Sequence, residues 1–328
     1  MTPAGLLAFL ARRLGKAALV ILGVVILNFL LIRLAPGDPA LVIAGQSGAA
    51  DEQFVAQLRA QFGLDRPVSE QLWIYVSGVM TGDLGISHRQ QRTVASLIME
   101  RLPATLLLTG AAFVLAIGAG VAMGAWAAQR VGSWGDSAIT VLALTFYATP
   151  LFWVGLMLVL LFSVQLEWLP SFGMNTVGAE LSGWASAVDV ARHLLLPAIT
   201  LGLFYMAIYA RLTRASMLEV ADQDFVKTAR AKGVPETRVQ RAHVLRNALL
   251  PVITFAGIQA GQLIGGSILV ETVFAWPGIG RLAFDALLQR DYQLLLGVFL
   301  CTSTMVIAFN LLTDLLYALV DPRVEVGG

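Results

Sequence analysis

Side chains able to do chemistry are few in this chain and far apart. His88, His193 and His243 all fall in stretches that read as loops. Ser267 would need a histidine beside it to serve as an intramembrane nucleophile, and none is in an apolar run. Cys301 is the single cysteine and sits inside an apolar run, so it supports neither a disulfide framework nor a metal cluster within the chain. It reads as a small buried apolar residue. No G-x-x-x-x-G-K-[ST] occurs, so the chain does not itself cradle ATP phosphates. Glu271 and Asp314 stand near the ends of apolar runs, and no Asp, Glu or His stands at mid-run, where a proton or ion relay needs one. No His-rich or acidic cluster suggests a haem or redox metal, and no metal site is expected.

The chemistry that does stand out is electrostatic. In "QDFVKTARAKGVPETRV", residues 223–239, charges fall at almost every second position, in a chain that is 57% hydrophobic and 13% charged. Read as a helix, Ala221–Lys232 puts Phe225, Val226 and Ala229 on one face, flanked by Asp224, Lys227 and Arg230. Gly233 suits the residue after a helix end, and Pro235 suits the first turn of a following helix. The expectation is two short helices meeting at a sharp bend. An aromatic knob ringed by cations fits a cleft in another protein. A solvated charged loop, or arginines touching lipid headgroups, is the alternative.

The elements around this patch must span a membrane. Mean hydropathy of +0.76 leaves too little polar surface to cover a soluble core. About 20 apolar residues cross roughly 30 Å of hydrocarbon. Six runs are long enough: Gly15–Leu34, Ala104–Ala128, Ala138–Val164, Leu194–Leu212, Ala248–Phe274 and Leu294–Val320. Arg12, Arg13 and Lys16 precede the first, as in a secretory signal. The run is too long for one, and "RLAPGDP" follows instead of a cleavage site, so it reads as a retained helix. The fold expected is all-α and integral to the membrane, with six transmembrane helices and a helical outer loop after the first.

Orientation follows from the basic residues. All three lysines (Lys16, Lys227 and Lys232) lie on one side, and Arg211–Asn247 holds eight Lys/Arg. The short loops 165–193 and 275–293 carry Arg192, Arg281 and Arg290. The positive-inside rule then puts both termini and the 211–247 loop in the cytoplasm. The long loop 35–103 falls outside. It carries "DEQFVAQLRAQFGLD", with Phe54, Leu58 and Phe62 spaced for a helix, Asp51 as N-cap and Gly63 at the end. "VSEQLWIYVSGVM" repeats the pattern with Leu72, Trp73 and Val76, and "TGDLGIS" is turn chemistry. Together they suggest a small helical lid on the outer face. "RTVASLIMERLP" reads as an amphipathic approach to the second run, ended by Pro103.

Within the runs, Pro150 should bend the third, while Pro197 and Pro251 stand near the starts of the fourth and fifth. Gly257, Gly261 and Gly265 form two G-x-x-x-G steps that admit a close neighbour. Gln259 and Gln262 on the same run are candidates to line a polar path. Net charge of +1 points to no nucleic-acid partner. The whole reads as a transporter without energy-coupling chemistry of its own. Energy would arrive through the 211–247 surface. A secondary transporter or channel working alone, and a membrane scaffold or sensor, are the competing classes.

Several stretches, in order, resemble one family. "NFLLIRLAPGDPA", "FGLDRPVSEQ", "GDLGIS", "ERLPATLLL", "HLLLPAITL", "YARLTRASMLEV", "EVADQDFVKTARAKGVPETRVQRAHVLRNALLPV", "ETVFAWPGIGRL" and "LLTDLLYALVDPR" look like ABC importer permeases of the dipeptide/oligopeptide/nickel type. The early "RLAPGDP" and long outer loop resemble the first of that family's two paired permeases. The resemblance implies a type I importer permease fold in a bacterial cytoplasmic membrane. The first helix and outer loop would occupy 1–93, and the permease domain 94–320, including the coupling loop 211–247. It further implies a second permease, two cytoplasmic ATPases carrying ATP and Mg, and an extracytoplasmic solute-binding protein, with no cofactor in this chain. The family's E-A-A…G…I-x-L-P coupling motif matches only in part. Ala229 and Gly233 fit, Lys227 stands where the acid would be, and His243-Val244-Leu245-Arg246 replace I-x-L-P. Glu219 would anchor the start of the loop.

Overall fold

The computed structural model describes residues 3–34, 52–61, 65–87 and 89–320. In hydrocarbon every backbone N–H and C=O must be bonded within its own segment, so the apolar runs become helices. In chain order the elements are α1 (Pro3–Leu34), α2 (Glu52–Gln61), α3 (Val68–Met80), β1 (Ile86–Ser87), β2 (Arg92–Thr93), α4 (Val94–Ala128) and α5 (Trp134–Ala148). Then come α6 (Leu151–Leu158), prolonged by wide π turns over Val159–Gln165, α7 (Trp184–Ala221) and α8 (Asp224–Ala231). A short α9 (Glu236–Arg238) passes through π turns at Val239–Leu245 into α10 (Arg246–Val273). Last come α11 (Ile279–Leu288) and α12 (Tyr292–Val320). Among the described residues five helices are long and apolar enough to cross a membrane, and the α5–α6 pair counts as a sixth.

Proline positions depart most from expectation. Pro150 does more than bend a helix: it separates α5 from α6, whose axes differ by 107°. The residue before proline is held extended, and Thr149 has ψ 135. Pro103 ends nothing, since α4 runs through it. Its ring is exposed while Ala104 and Thr105 are buried, so the missing N–H bond faces away from the core. Pro197 is deep inside α7, not near its start. Buried neighbours Leu196, Ala198 and Leu201 hold the helix together across the lost bond. The apolar runs also understate the helices, because α7 continues ten residues past Arg211 to Ala221. "GDLGIS" is more than a turn. It leads into an antiparallel hairpin pairing Ile86 with Thr93 and Ser87 with Arg92.

The chain forms two compact units. Met1–Arg101 and Leu282–Ile307 build the first. There α3 packs on α1, with the Tyr75 ring 6.1 Å from Phe29. Asn28 Nδ2 donates to the Leu296 carbonyl at 3.4 Å. The hairpin is clasped to the start of α12: Ser87 Oγ donates to the buried Asp291 carboxylate, and Gln293 Nε2 donates to the Leu84 carbonyl at 2.8 Å. Of the lid residues, Trp73 is largely exposed, while Leu72 and Val76 are half-buried. Phe54, Leu58 and Phe62, with Asp51 and Gly63, lie outside the described side chains. Among the described side chains of α2, Val55 is buried.

Leu102–Arg281 and Ala308–Val324 build the second unit. Its core joins α4, α7 and α10 through Leu108, Leu201, Tyr209, Leu263 and Trp276.

Candidate functional site

The charged stretch folds as a helix and an elbow. α8 is shorter than expected, starting at Asp224 and ending at Ala231. Gly233 adopts φ +75, a backbone conformation that side chains with a Cβ resist. Its N–H donates to the Arg230 carbonyl at 2.9 Å, and the Val234 N–H donates to Ala229 at 3.2 Å. These two bonds make a Schellman cap, with Val234 packed on the apolar cluster beneath. Pro235 then leads into Glu236 with φ −55. The second helix is not short, because α9 and the π turns continue directly into α10. Movement at the elbow therefore reaches a membrane-spanning helix through unbroken backbone. π turns within long helices recur at functional sites.

The face expected to hold Phe225, Val226 and Ala229 together is split. Val226 and Ala229 are buried in a cluster of this chain's own Ala125, Met217, Val220, Val239, Val244 and Ala248. Phe225, at the edge of that face, is 41% exposed. α8 is thus pinned from beneath and displays Phe225 outward. Asp224 and Lys227 pair with each other at 3.2 Å, both exposed. Arg230 does not flank the knob as a free cation. Its Nε and Nη2 donate to both Glu236 oxygens at 3.1 and 3.0 Å, and Gln240 donates to the same carboxylate at 2.7 Å. This fork bridges the elbow. It raises the Arg230 pKa above the ordinary arginine value, chiefly through the Glu236 hydrogen bond, with burial opposing. Lys232 is exposed. Glu219 is exposed on α7, not within the loop.

The α10 candidates separate too. Gln259 is buried and Gln262 is exposed. Gly257 meets α12 so closely that a Cβ would overlap Thr313, whose Oγ1 donates to the Gly257 carbonyl at 3.0 Å. Gly261 is buried, but Gly265 is exposed and nothing lies within 4 Å of where its Cβ would be. The glycine stripe therefore packs within this chain at one end only.

Two polar constellations escaped the sequence reading. Glu271, at the end of α10, is fully buried. Thr105 Oγ1 donates to it at 2.8 Å, Ser267 Oγ at 3.1 Å and the Arg281 N–H at 3.0 Å. The Ile279 N–H donates to Thr105 Oγ1 at 2.8 Å, and Trp276 Nε1 donates to the Ala104 carbonyl at 2.8 Å. "ETVFAWPGIGRL" is thus a loop wound around its own first carboxylate and fixed to α4. The available signal was a glutamate near the end of an apolar run, followed within a few residues by Pro-Gly-x-Gly. The second constellation is a fork from Arg214 on α7 to Asp136 on α5, with bonds of 2.6 and 2.8 Å. The Gly132 N–H also donates to Asp136 at 3.1 Å. Ser133 caps α5 in the pattern S-x-x-D, its Oγ accepting from the Asp136 N–H at 3.3 Å.

The model of the binding-protein-dependent transport system inner membrane component family matches residues 120–326, which include all of the elbow. Its N-terminal companion matches residues 6–109. The chain belongs to this permease family. The permease is 42% identical over 337 aligned positions to the dipeptide transport system permease protein DppB of Escherichia coli K12, covering 98% of this chain and 99% of that protein. It is 41% identical over 336 positions to the di/tripeptide transport system permease protein DppB of Pseudomonas aeruginosa, with 98% and 99% covered. A putative peptide transport system permease of Brucella abortus is 43% identical over 318 positions, with 97% and 99% covered. The permease has the type I ABC importer permease fold, is a multi-pass inner-membrane protein, and works with an ATPase and a binding protein.

Proposed function

We propose that this permease forms half of a peptide-conducting pore and receives ATP-driven motion through α8. The observation that carries the proposal is the split face: Val226 and Ala229 are locked into the permease while Phe225 stands exposed. A helix held from beneath and offering one aromatic is built to be gripped. The partners are a second, similar permease and two cytoplasmic ATPase subunits, which hold ATP and Mg. The extracytoplasmic binding protein delivers cargo. Both termini and α8 lie on the cytoplasmic side in this reading, which the distribution of lysines supports. Peptides are the cargo named for the similar permeases, and this chain matches them along nearly its whole length.

When ATP closes the ATPases, the cleft around Phe225 carries α8 with it. The Schellman cap and the Arg230–Glu236 fork keep the elbow from folding, so motion enters α10. ATP thereby selects between two states of the pore that differ in affinity for the closed ATPase dimer. The test replaces Cys301 with serine and places a single cysteine at Phe225 or at Ala229. In the assembled complex, Phe225→Cys cross-links to the ATPase in a nucleotide-dependent way, and the buried Ala229→Cys does not. No cross-link at Phe225 in an intact complex refutes the docking role. ATP-dependent peptide uptake into proteoliposomes holding the full complex tests the cargo.

A further inference from the structure

Arg211 begins the basic stretch assigned to the cytoplasm, yet its side chain leaves that company. Arg214, three residues on, reaches to Asp136 near the start of α5. Arg211 reaches the opposite way, its guanidinium lying over the Tyr147 ring at 5.8 Å from the centroid. Tyr147 in turn stacks on Phe204 at 5.4 Å. Eleven residues separate Asp136 from Tyr147, about 16 Å of helix at 1.5 Å per residue. The two arginines therefore diverge along α5.

Between α5 and α7 they border a crevice of about 250 Å³. Its other walls include Ile139, Ala143, Leu144 and Ile208. Asp136 is engaged by Arg214, and no ion pair among the described residues reaches Arg211. The crevice thus joins apolar walls to one uncompensated positive charge. Just beyond Tyr147 the helix breaks at Thr149–Pro150. A break at membrane depth is tolerated where it is buried in protein or lines a water-filled route. Secondary transporters build cargo sites from interrupted helices. Arg211 is exposed on this chain, so its charge faces whatever occupies the crevice.

We infer that this crevice is a cargo subsite in the translocation route, in which Arg211 takes the C-terminal carboxylate of a peptide. The inference rests on the peptide reading above. The space is smaller than the roughly 300–1,000 Å³ of a pocket for a whole drug-sized ligand. It therefore receives the last residue of the chain, its apolar side chain against Leu144, Ile208 and the Tyr147 ring. The guanidinium fork matches a carboxylate and not an amide.

The test uses the complete complex in nanodiscs, with assembly checked by co-purification of the ATPases. Binding of alanylphenylalanine is compared with binding of its C-terminal amide. The wild type holds the free acid about tenfold more tightly or better, as a charge-assisted pair does. R211Q loses the preference, and R211K keeps part of it. Leu144→Trp, which narrows the crevice from its exposed edge and leaves Arg211 in place, weakens both ligands. Retention of the acid preference in R211Q, or full binding in Leu144→Trp, overturns the subsite while leaving peptide transport intact. A phospholipid that co-purifies with the wild type and is lost in R211Q, with the acid preference unchanged, overturns it in favour of a lipid site. If the wild-type complex with its binding protein takes up no peptide at all, the cargo reading fails and the subsite falls with it.

Discussion

If motion enters through α8 as proposed, Gly233 is where its transmission is most exposed to a small change. At φ +75 any residue with a Cβ pays about 1–2 kcal/mol of backbone strain. Nothing lies within 4 Å of the position a Cβ would take, so no steric clash adds to that cost. The perturbation is therefore conformational alone. A penalty of this size shifts the balance between the capped elbow and its alternatives by a factor of about 5–30. Gly233→Ala and Gly233→Val are expected to lower ATP-driven uptake by that factor at equal amounts of complex. Gly233→Asn, which tolerates the left-handed region better, falls between them and the wild type. ATPase association should survive in all three, because Phe225 lies outside the cap. The assay pairs peptide uptake in proteoliposomes with co-purification of the ATPase. Wild-type uptake by a well-assembled Gly233→Val complex would refute the reasoning and make the elbow passive.

Three other outcomes follow from the geometry. Glu271→Ala leaves three buried donors without their acceptor and should destabilise the permease by about 3–5 kcal/mol; Glu271→Gln keeps one oxygen and should lose less, both read from thermal unfolding in nanodiscs. Asp136→Arg or Arg214→Asp should lower the melting temperature, and the double exchange should recover part of the loss, since the fork joins α5 to α7; no recovery would mean that the pairing itself contributes nothing. Phe225→Ala should leave thermal stability unchanged and weaken ATPase association, whereas Val226→Asp should unseat α8 and lower both stability and association.

Much of the architecture was legible because lipid imposes a rule on backbone composition. Length of apolar run predicts a crossing helix without reference to neighbours, and the six runs coincide with five long helices and one broken pair. The elbow was legible as well, because Gly233 and Pro235 act through their own φ values. What the pattern misjudged were prolines. Whether Pro150 breaks a helix, or Pro103 and Pro197 are carried within one, depends on how the surrounding residues pack and not on proline itself. The side of α8 was misjudged for a similar reason. Helical spacing puts Phe225, Val226 and Ala229 near one another, but it does not say where Ala125 and Met217 will arrive to bury two of the three.

The sequence by itself determined an all-helical membrane permease with a basic, elbowed loop between its fourth and fifth spans. Hydropathy, charge asymmetry and turn residues are local quantities, and each is complete within its own segment. Only the tertiary structure decided which charges act. Arg214 and Arg211 are alike in sequence, one turn apart, and opposite in role because Asp136 stands within reach of the first and the Tyr147 ring within reach of the second. Glu271 looked like an end-of-helix acid until Thr105 came to meet it from a helix more than 160 residues away in sequence. Charge belongs to a residue, but its compensation belongs to the neighbours that folding supplies.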